Sequence, residues 1–249
     1  MIRLSVFGLS DTGYVKSANE DHFSIIPPDF PGLPHLIALS DGVGGRRGGQ
    51  LASVKVLQII GNQVFSITPS ANDAPKTLFD SFGKANDILR KLSDRNESLK
   101  GMGTTAVVAL VYDNKTVVSS IGDSRAYIVT SGSIMQVTKD HSWTSELKEK
   151  GLLTDKQARN HPYRHHLVKA LGVEENANPD VFTLDNNDIE WLMLCSDGLT
   201  EHVSDIEILG TILKENDPKA AANKLLQVAL SRGGTDNITI VIAKYEREE

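Results

Sequence analysis

Carboxylates recur in this chain at the ends of apolar, strand-like runs. Five short acidic stretches read Asn19-Glu20-Asp21, Ser40-Asp41-Gly42, Gly122-Asp123-Ser124-Arg125, Cys195-Ser196-Asp197-Gly198 and Gly234-Thr235-Asp236-Asn237. Strands are rigid, so they would deliver these side chains to one edge of a sheet. Carboxylates gathered that way repel one another unless a cation lies between them. Hard divalent ions such as Mg²⁺ or Mn²⁺ prefer oxygen ligands of this kind, and a two-metal carboxylate site is a known way to hydrolyse phosphate esters. One acidic turn carries little information. Five in this order point to a metal-dependent hydrolase.

The chain has 249 residues, 40% hydrophobic and 23% charged, enough for a full core in one domain or two. A net charge of −6 argues against nucleic acid as a partner, which would need a basic face. An acidic surface also repels anionic membranes and phosphopeptides, so local positive residues would have to recruit a phosphorylated substrate. The single cysteine, Cys195, has no partner for an internal disulfide and suits a reducing cytoplasm. It reads as a buried strand residue beside Asp197 rather than as a nucleophile. Met1–Asp11 lacks a basic start followed by an apolar signal core, and no apolar run approaches the roughly 20 residues needed to span a bilayer. The expectation is a soluble, cytoplasmic protein without a membrane segment.

No internal repeat, low-complexity tract or linker interrupts the chain. Strands are expected at Leu4–Leu9, His22–Ile26, Leu36–Leu39, Thr104–Tyr112, Thr116–Ile121, Arg125–Thr130, Trp191–Cys195 and Ile238–Ala243. Asp113-Asn114 and Ser131-Gly132 supply turns for a meander. Helical spacing follows Gly49, where Ser53, Leu57, Ile60 and Val64 share a stripe, and recurs at Leu78, Phe82, Ala85, Leu89 and Leu92. Two later helices announce their starts: Ser204-Asp205-Ile206-Glu207 is a capping box, and Asp217 precedes a first-turn Pro218. Leu225, Leu226 and Ala229 would bury the last helix. Strands grouped with one mid-chain and one late helix pair suggest a sheet sandwich covered by helices.

The order and wording of the acidic stretches resemble the metal-dependent protein phosphatase family, the type 2C Ser/Thr phosphatases, in its compact bacterial form. The likeness runs from Ser10-Asp11-Thr12-Gly13 through Asp41-Gly42-Val43-Gly44-Gly45, Gly122-Asp123-Ser124-Arg125-Ala126-Tyr127 and Thr138-Lys139-Asp140-His141-Ser142. It continues through His161-Pro162 and Ala170-Leu171-Gly172 to Ser196-Asp197-Gly198-Leu199 and Gly234-Thr235-Asp236-Asn237-Ile238-Thr239, covering nearly the whole chain. It implies an α+β fold, a four-layer αββα sandwich in one catalytic domain, with a flap over about residues 141–172. Asp41 would bridge two Mg²⁺ or Mn²⁺ ions, with the Gly42 carbonyl on the second. Asp197 and Asp236 would complete the first site, and Asn237 would orient Asp236 by a hydrogen bond. Glu20 and Asp21 would serve the second ion, directly or through water. Asp123 resembles the position that shares a third, weaker ion with Asp197; the competing reading is a structural pair with Arg125.

The activity implied is hydrolysis of phosphoserine and phosphothreonine by a metal-bridging hydroxide, opposing a Ser/Thr protein kinase and acting on that kinase or its substrates, in a monomer. Two departures matter. The family usually carries arginine where this chain has Lys16; lysine offers phosphate a mobile point charge in place of a bidentate fork. Arg46 and Arg47 would compensate, or else are solvated residues at a helix start. Many eukaryotic relatives carry a histidine at the position of Val43, proposed as general acid, so a water, His141 or His161 would have to protonate the leaving alkoxide, each histidine also reading as structural. The flap adds Trp143, the capping string Thr154-Asp155-Lys156-Gln157 and the basic run Arg164-His165-His166, which would meet a phosphopeptide or simply be solvated. The reading of a different class is a catalytically silent phosphoprotein-binding module of the same fold. Such a module typically loses metal carboxylates, and none is lost here.

Overall fold

The computed structural model describes residues 2–28, 30, 32–43, 48–159 and 161–247. In chain order the strands are β1 (Ile2–Asp11), β2 (Asp21–Ile26), β3 (His35–Val43), β4 (Gly103–Thr104), β5 (Ala106–Val111), β6 (Lys115–Ile121), β7 (Arg125–Thr130), β8 (Ser133–Gln136), β9 (Asp180–Asp185), β10 (Trp191–Cys195) and β11 (Ile238–Arg247). The helices are α1 (Gly48–Ile67), α2 (Ala74–Arg95), α3 (Trp143–Glu149), α4 (Asp155–Arg159), α5 (Asp197–Thr200), α6 (Asp205–Glu215) and α7 (Pro218–Ser231). One antiparallel sheet runs β1-β11-β10-β7-β8 and the other β2-β3-β5-β6-β9, with β4 paired to the end of β3.

Three apolar layers hold the elements together. Alternate residues of β3 show why both faces of a central strand must be apolar: Leu36 and Ala38 pack with α1 and α2, whereas Ile37 and Leu39 face the second sheet. Val56, Ile60, Leu78 and Phe82 seal the first helical layer, and Ile208, Ile212, Leu225 and Ala229 seal the opposite one over Met193, Ile240 and Ile242. Burying each of the larger of these side chains contributes about 1.5–3 kcal/mol. The result is the four-layer αββα sandwich. Among the described residues no helix is long and apolar enough to cross a membrane.

Local signals behave as their chemistry dictates. Glu207 accepts from the Ser204 backbone N–H and hydroxyl at 3.0 and 2.8 Å, and Asp217 accepts from Ala220 N–H at 2.8 Å. Thr154 and Gln157 make the reciprocal bonds that start α4.

Three expectations need correction. The run Thr104–Tyr112 is two strands, broken at Thr105, whose N–H turns aside to the Asp41 carbonyl at 2.8 Å. Strands β8 and β9 were not anticipated; they are short edge strands with mixed burial, so their apolar signal is weak. The carboxylates gather at one end of two packed sheets, because antiparallel pairing brings the termini of β2, β3, β10 and β11 together. A single sheet edge does not hold them. Gly44, Gly45, Arg46 and Arg47 lie outside the described residues.

Candidate active site

Asp21 opens β2 and Asp41 lies near the end of β3, directly opposite in the antiparallel register. Asp41 is gripped through its backbone. Its N–H donates to Thr105 Oγ1 at 3.0 Å, and its carbonyl accepts from Thr104 Oγ1 and from Thr105 N–H, each at 2.8 Å. Thr105 Oγ1 in turn lies 2.7 Å from Ser124 Oγ, tying the Asp41 strand to the Asp123 turn. Asp21 is fixed through one oxygen, Oδ2, which accepts from Ser196 Oγ at 2.8 Å and Thr239 Oγ1 at 2.7 Å. Its other oxygen is buried with no hydrogen-bond partner, as is Asp197 Oδ1.

Asp197 follows β10 and opens α5, and Asp236 sits just before β11. Each has a cationic neighbour. Lys16 Nζ lies 2.6 Å from Asp236 Oδ1, and His165 Nδ1 lies 3.3 Å from Asp197 Oδ2. The β1–β2 loop that carries Lys16 is stapled over the Gly234–Asp236 turn by Tyr14 N–H donating to Gly234 O at 2.8 Å. Gly13 makes that crossing possible: its φ is +74°, and any Cβ there would strike the Asp236 carbonyl.

Burial raises the proton affinity of three of these carboxyls, Asp21, Asp41 and Asp123. Burial pushes the Asp41 carboxyl well above its ordinary range, reinforced by the negative fields of Asp21, Asp197, Asp123 and Asp236. Burial and Asp197 do the same to Asp123. Asp21 is raised chiefly by burial, against the hydroxyls of Thr239 and Ser196. Burial of Lys16 works to lower its pKa, but the bond to Asp236 and the fields of Asp41 and Asp197 outweigh it, so the ammonium is held more firmly. His165 is pushed up to about 10 by Asp197 and then Glu201.

Glu20 and Gly42 meet where α1 begins. Gly42 N–H donates to Glu20 O at 3.2 Å, and a Cβ added at Gly49 would lie 2.6 Å from Glu20 Oε1. These glycines are needed for close approach. Asn237 does bond to Asp236, and through its backbone: the N–H donates to Asp236 Oδ1 at 2.8 Å, while its side chain pins the β1–β2 loop. There Oδ1 accepts from Glu20 N–H at 2.8 Å, and Nδ2 donates to Thr12 O and Ala18 O at 2.9 and 3.0 Å.

The alternative pairing of Asp123 with Arg125 is corrected. Arg125 commits its guanidinium to Asp140, with Nη2 at 2.6 Å and Nε at 2.9 Å, and to Tyr127 Oη at 2.9 Å. His141 is buried, its Nδ1 accepting from Gly122 N–H at 3.1 Å and its Nε2 lying 3.3 Å from Asp180. His161 packs at a tilt against Trp143, ring centroids 5.1 Å apart, and Tyr163 joins them edge-on. Neither histidine therefore faces the carboxylates. Cys195 is fully buried, and burial pushes its thiol up to about 12, which suits an inert strand residue.

A groove of about 620 Å³ leads from Asp123 and Asp197 between the segment after β8 and α6, reaching Lys148, Arg164, Ser204 and Asp205. Sequence reasoning missed Thr104, Thr105, Ser196, Thr239 and Glu201. A hydroxyl residue at a strand end has no periodic signature, and Glu201 becomes meaningful only through partners distant in the chain.

Comparison with known proteins gives the family. The Protein phosphatase 2C pattern matches residues 11–150 and 170–238. The chain belongs to the protein phosphatase 2C family. Its relatives include the Serine/threonine phosphatase stp of Listeria welshimeri, 30% identical over 237 residues that cover 94% of this chain and 93% of that protein. PstP of Mycobacterium tuberculosis is 32% identical over 234 residues, covering 94% of this chain and 43% of that longer protein. Among solved structures, Stp1 from Staphylococcus aureus superposes with a TM-score of 0.90 at 33% identity, covering 98% of this chain and 96% of that one. A PstP catalytic domain in complex with 2 manganese ions reaches 0.86 at 29% identity, covering 99% and 100%.

The donor set of this phosphatase 2C chain suits a hard divalent cation. All candidate donors are oxygens, the buried Asp21 Oδ1 and Asp197 Oδ1 have no hydrogen-bond partner among the described residues, and burial, reinforced by the neighbouring carboxylates, raises the Asp41 carboxyl. Among the described residues no group of three or more His, Cys, Asp and Glu side chains stands ready-made to hold an ion. Lys16 is paired with Asp236, His165 with Asp197, and two hydroxyls bond to Asp21.

Proposed function

We propose that this chain is a Mg²⁺- or Mn²⁺-dependent protein phosphatase that hydrolyses phosphoserine and phosphothreonine in phosphoproteins. The observation that carries the reading is the facing pair Asp21 and Asp41 with the bare buried oxygens of Asp21 and Asp197 beside it. Family membership supplies the reaction class. Asp41 would lie between two ions, with Glu20, Asp21 and the Gly42 carbonyl on one side and Asp197 and Asp236 on the other. Asp123, with Asp197, would hold a third and weaker ion. Bound divalent cations supply Lewis-acid activation of water and charge neutralisation at the phosphoryl oxygens.

The chain's own residues do the rest. Thr104 and Thr105 hold the Asp41 backbone, so that its carboxylate is presented without reorganisation. With Asp236 holding an ion, Lys16 would be free to contact the phosphate as a point charge. The substrate polypeptide would lie in the groove under the flap, residues 141–172, within one catalytic domain. The physiological setting we infer is a cytoplasmic monomer opposing a Ser/Thr kinase.

Hydrolysis of a phosphothreonine peptide by the purified protein, with EDTA, Mg²⁺ or Mn²⁺ added in turn, tests this directly. Turnover only with metal is expected. No turnover with any ion would favour a silent binding module.

A further inference from the structure

Glu201 is the residue that follows α5, the short helix opened by Asp197. Its two oxygens face different parts of the chain. Oε1 accepts from Arg164 Nη2 at 2.6 Å and lies 3.3 Å from His165 Nε2. Oε2 accepts from Thr235 Oγ1 at 3.1 Å, and Thr235 is the immediate neighbour of Asp236. The network extends from there: His202 Nε2 lies 2.9 Å from the Thr235 hydroxyl, and the His202 carbonyl accepts from Arg232 Nη1 at 2.6 Å.

Each contact alone is modest, because Arg164 and His165 are 39% and 44% exposed and exposed ion pairs contribute little. Their convergence on one carboxylate, itself only 18% exposed, is what makes the arrangement specific. The bonds from His165 and Arg164 hold the Glu201 carboxyl down at about 2, so it stays ionised at any working pH. Behind the two donors stands an aromatic clasp. Trp143, His161 and Tyr163 stack with centroids 5.1 to 5.9 Å apart and fix the loop from which Arg164 and His165 project. The family pattern skips residues 151–169, so both donors lie in the stretch it does not describe.

We infer that Glu201 is a positioning residue for the phosphatase reaction, a single carboxylate that latches the flap segment bearing Arg164 and His165 to the turn bearing Asp236. Flap closure and ordering of the Thr235–Asp236 turn are then one event. The latch forms one wall of the groove, so it governs substrates large enough to lie there. This inference rests on the proposed phosphatase reading for its kinetic consequence, though not for its structural one.

Hydrogen exchange on the Mn²⁺-loaded protein tests the structural part. Glu201→Gln should speed exchange both at residues 161–167 and at residues 233–237, with Ala106–Val111 unchanged as a control for global unfolding. Thr235→Val, which makes no contact with the flap, should also speed exchange at 161–167 and carries the test if Glu201→Gln does not fold. Kinetically, kcat/KM for a phosphothreonine peptide should fall roughly tenfold more than kcat/KM for p-nitrophenyl phosphate, mainly through KM, the scale of one charge-assisted hydrogen bond. Unchanged flap exchange in Thr235→Val, or equal losses on the two substrates, would overturn the latch. If the wild-type protein turns over neither substrate with any metal, the phosphatase reading fails instead, and the exchange data still decide the latch.

Discussion

Asp21 and Asp41 are cross-strand partners at the open end of the sandwich, two carboxylates on adjacent antiparallel strands. Like charges opposed in a sheet are destabilising, and enclosure makes the repulsion stronger. The fold carries this cost at one place, where a divalent ion would convert it into affinity.

Asp41→Asn should therefore separate stability from activity. Removing one charge should raise the melting temperature of the EDTA-treated protein by a few degrees, about 2–4 °C per kcal/mol for a chain of this size. Metal-dependent turnover should fall by more than the roughly hundredfold that loss of an outer-shell partner can cost. Differential scanning calorimetry beside a phosphopeptide assay would check both. Intact turnover in Asp41→Asn would remove the metal assignment.

Metal removal should be visible without any substrate. An ion at 100 times its Kd stabilises the folded state by about 2.7 kcal/mol. Titrating Mn²⁺ into EDTA-stripped protein should raise the melting temperature by several degrees, and Asp197→Asn should blunt that rise. A melting temperature indifferent to Mn²⁺ would count against the site.

Thr105→Val keeps the side-chain shape and removes the hydroxyl that receives Asp41 N–H and meets Ser124 Oγ. Leaving that buried donor unsatisfied should cost about 1–3 kcal/mol. Urea unfolding measures the loss, and a change within error would show that Thr105 does not hold Asp41.

Lys16→Arg should lower the apparent KM for a phosphopeptide, because a guanidinium can grip phosphate bidentately where Lys16 offers one ammonium. Steady-state kinetics at saturating metal decide it; a raised or unchanged KM contradicts the weak-grip reading.

Acid should destabilise the fold through His141. Burial holds its pKa below the usual 6.5, and Nδ1 already accepts a hydrogen bond from Gly122, which leaves the ring proton on Nε2 toward Asp180. The unfolded chain thus binds the proton more readily than the folded one. Stability from this ring is complete above about pH 6.5 and is lost as pH falls through the window below it. His22 and His35 shift in the same direction. His165 runs oppositely, since its raised pKa gives stability that is full below 6.5 and lost as pH rises through about 10. Melts of wild-type protein and His141→Gln between pH 5 and 8 should show a shallower acid slope in the variant.

Much of this protein was legible from sequence because its signals are local. Apolar runs at Leu36–Leu39 and Trp191–Cys195 are too short for helices, the stripe Ser53-Leu57-Ile60-Val64 has helical spacing, and the caps at Ser204 and Asp217 sit beside the helices they start. The acidic stretches were legible for the same reason, each lying where an apolar strand meets turn residues. Tertiary structure alone decided the rest. Antiparallel pairing of β2 with β3 set Asp21 opposite Asp41, and packing the second sheet against the first brought Ser196 and Thr239 onto one carboxylate oxygen. Long-range pairing also put the Asn237 side chain on the β1–β2 loop, gave Arg125 to Asp140 in place of Asp123, and set Glu201 between Arg164 and Thr235, residues 37 before it and 34 after it. A side chain's residue type says which hydrogen bonds it can make. Which of them it does make depends on the neighbours that long-range strand pairing brings within about 3 Å.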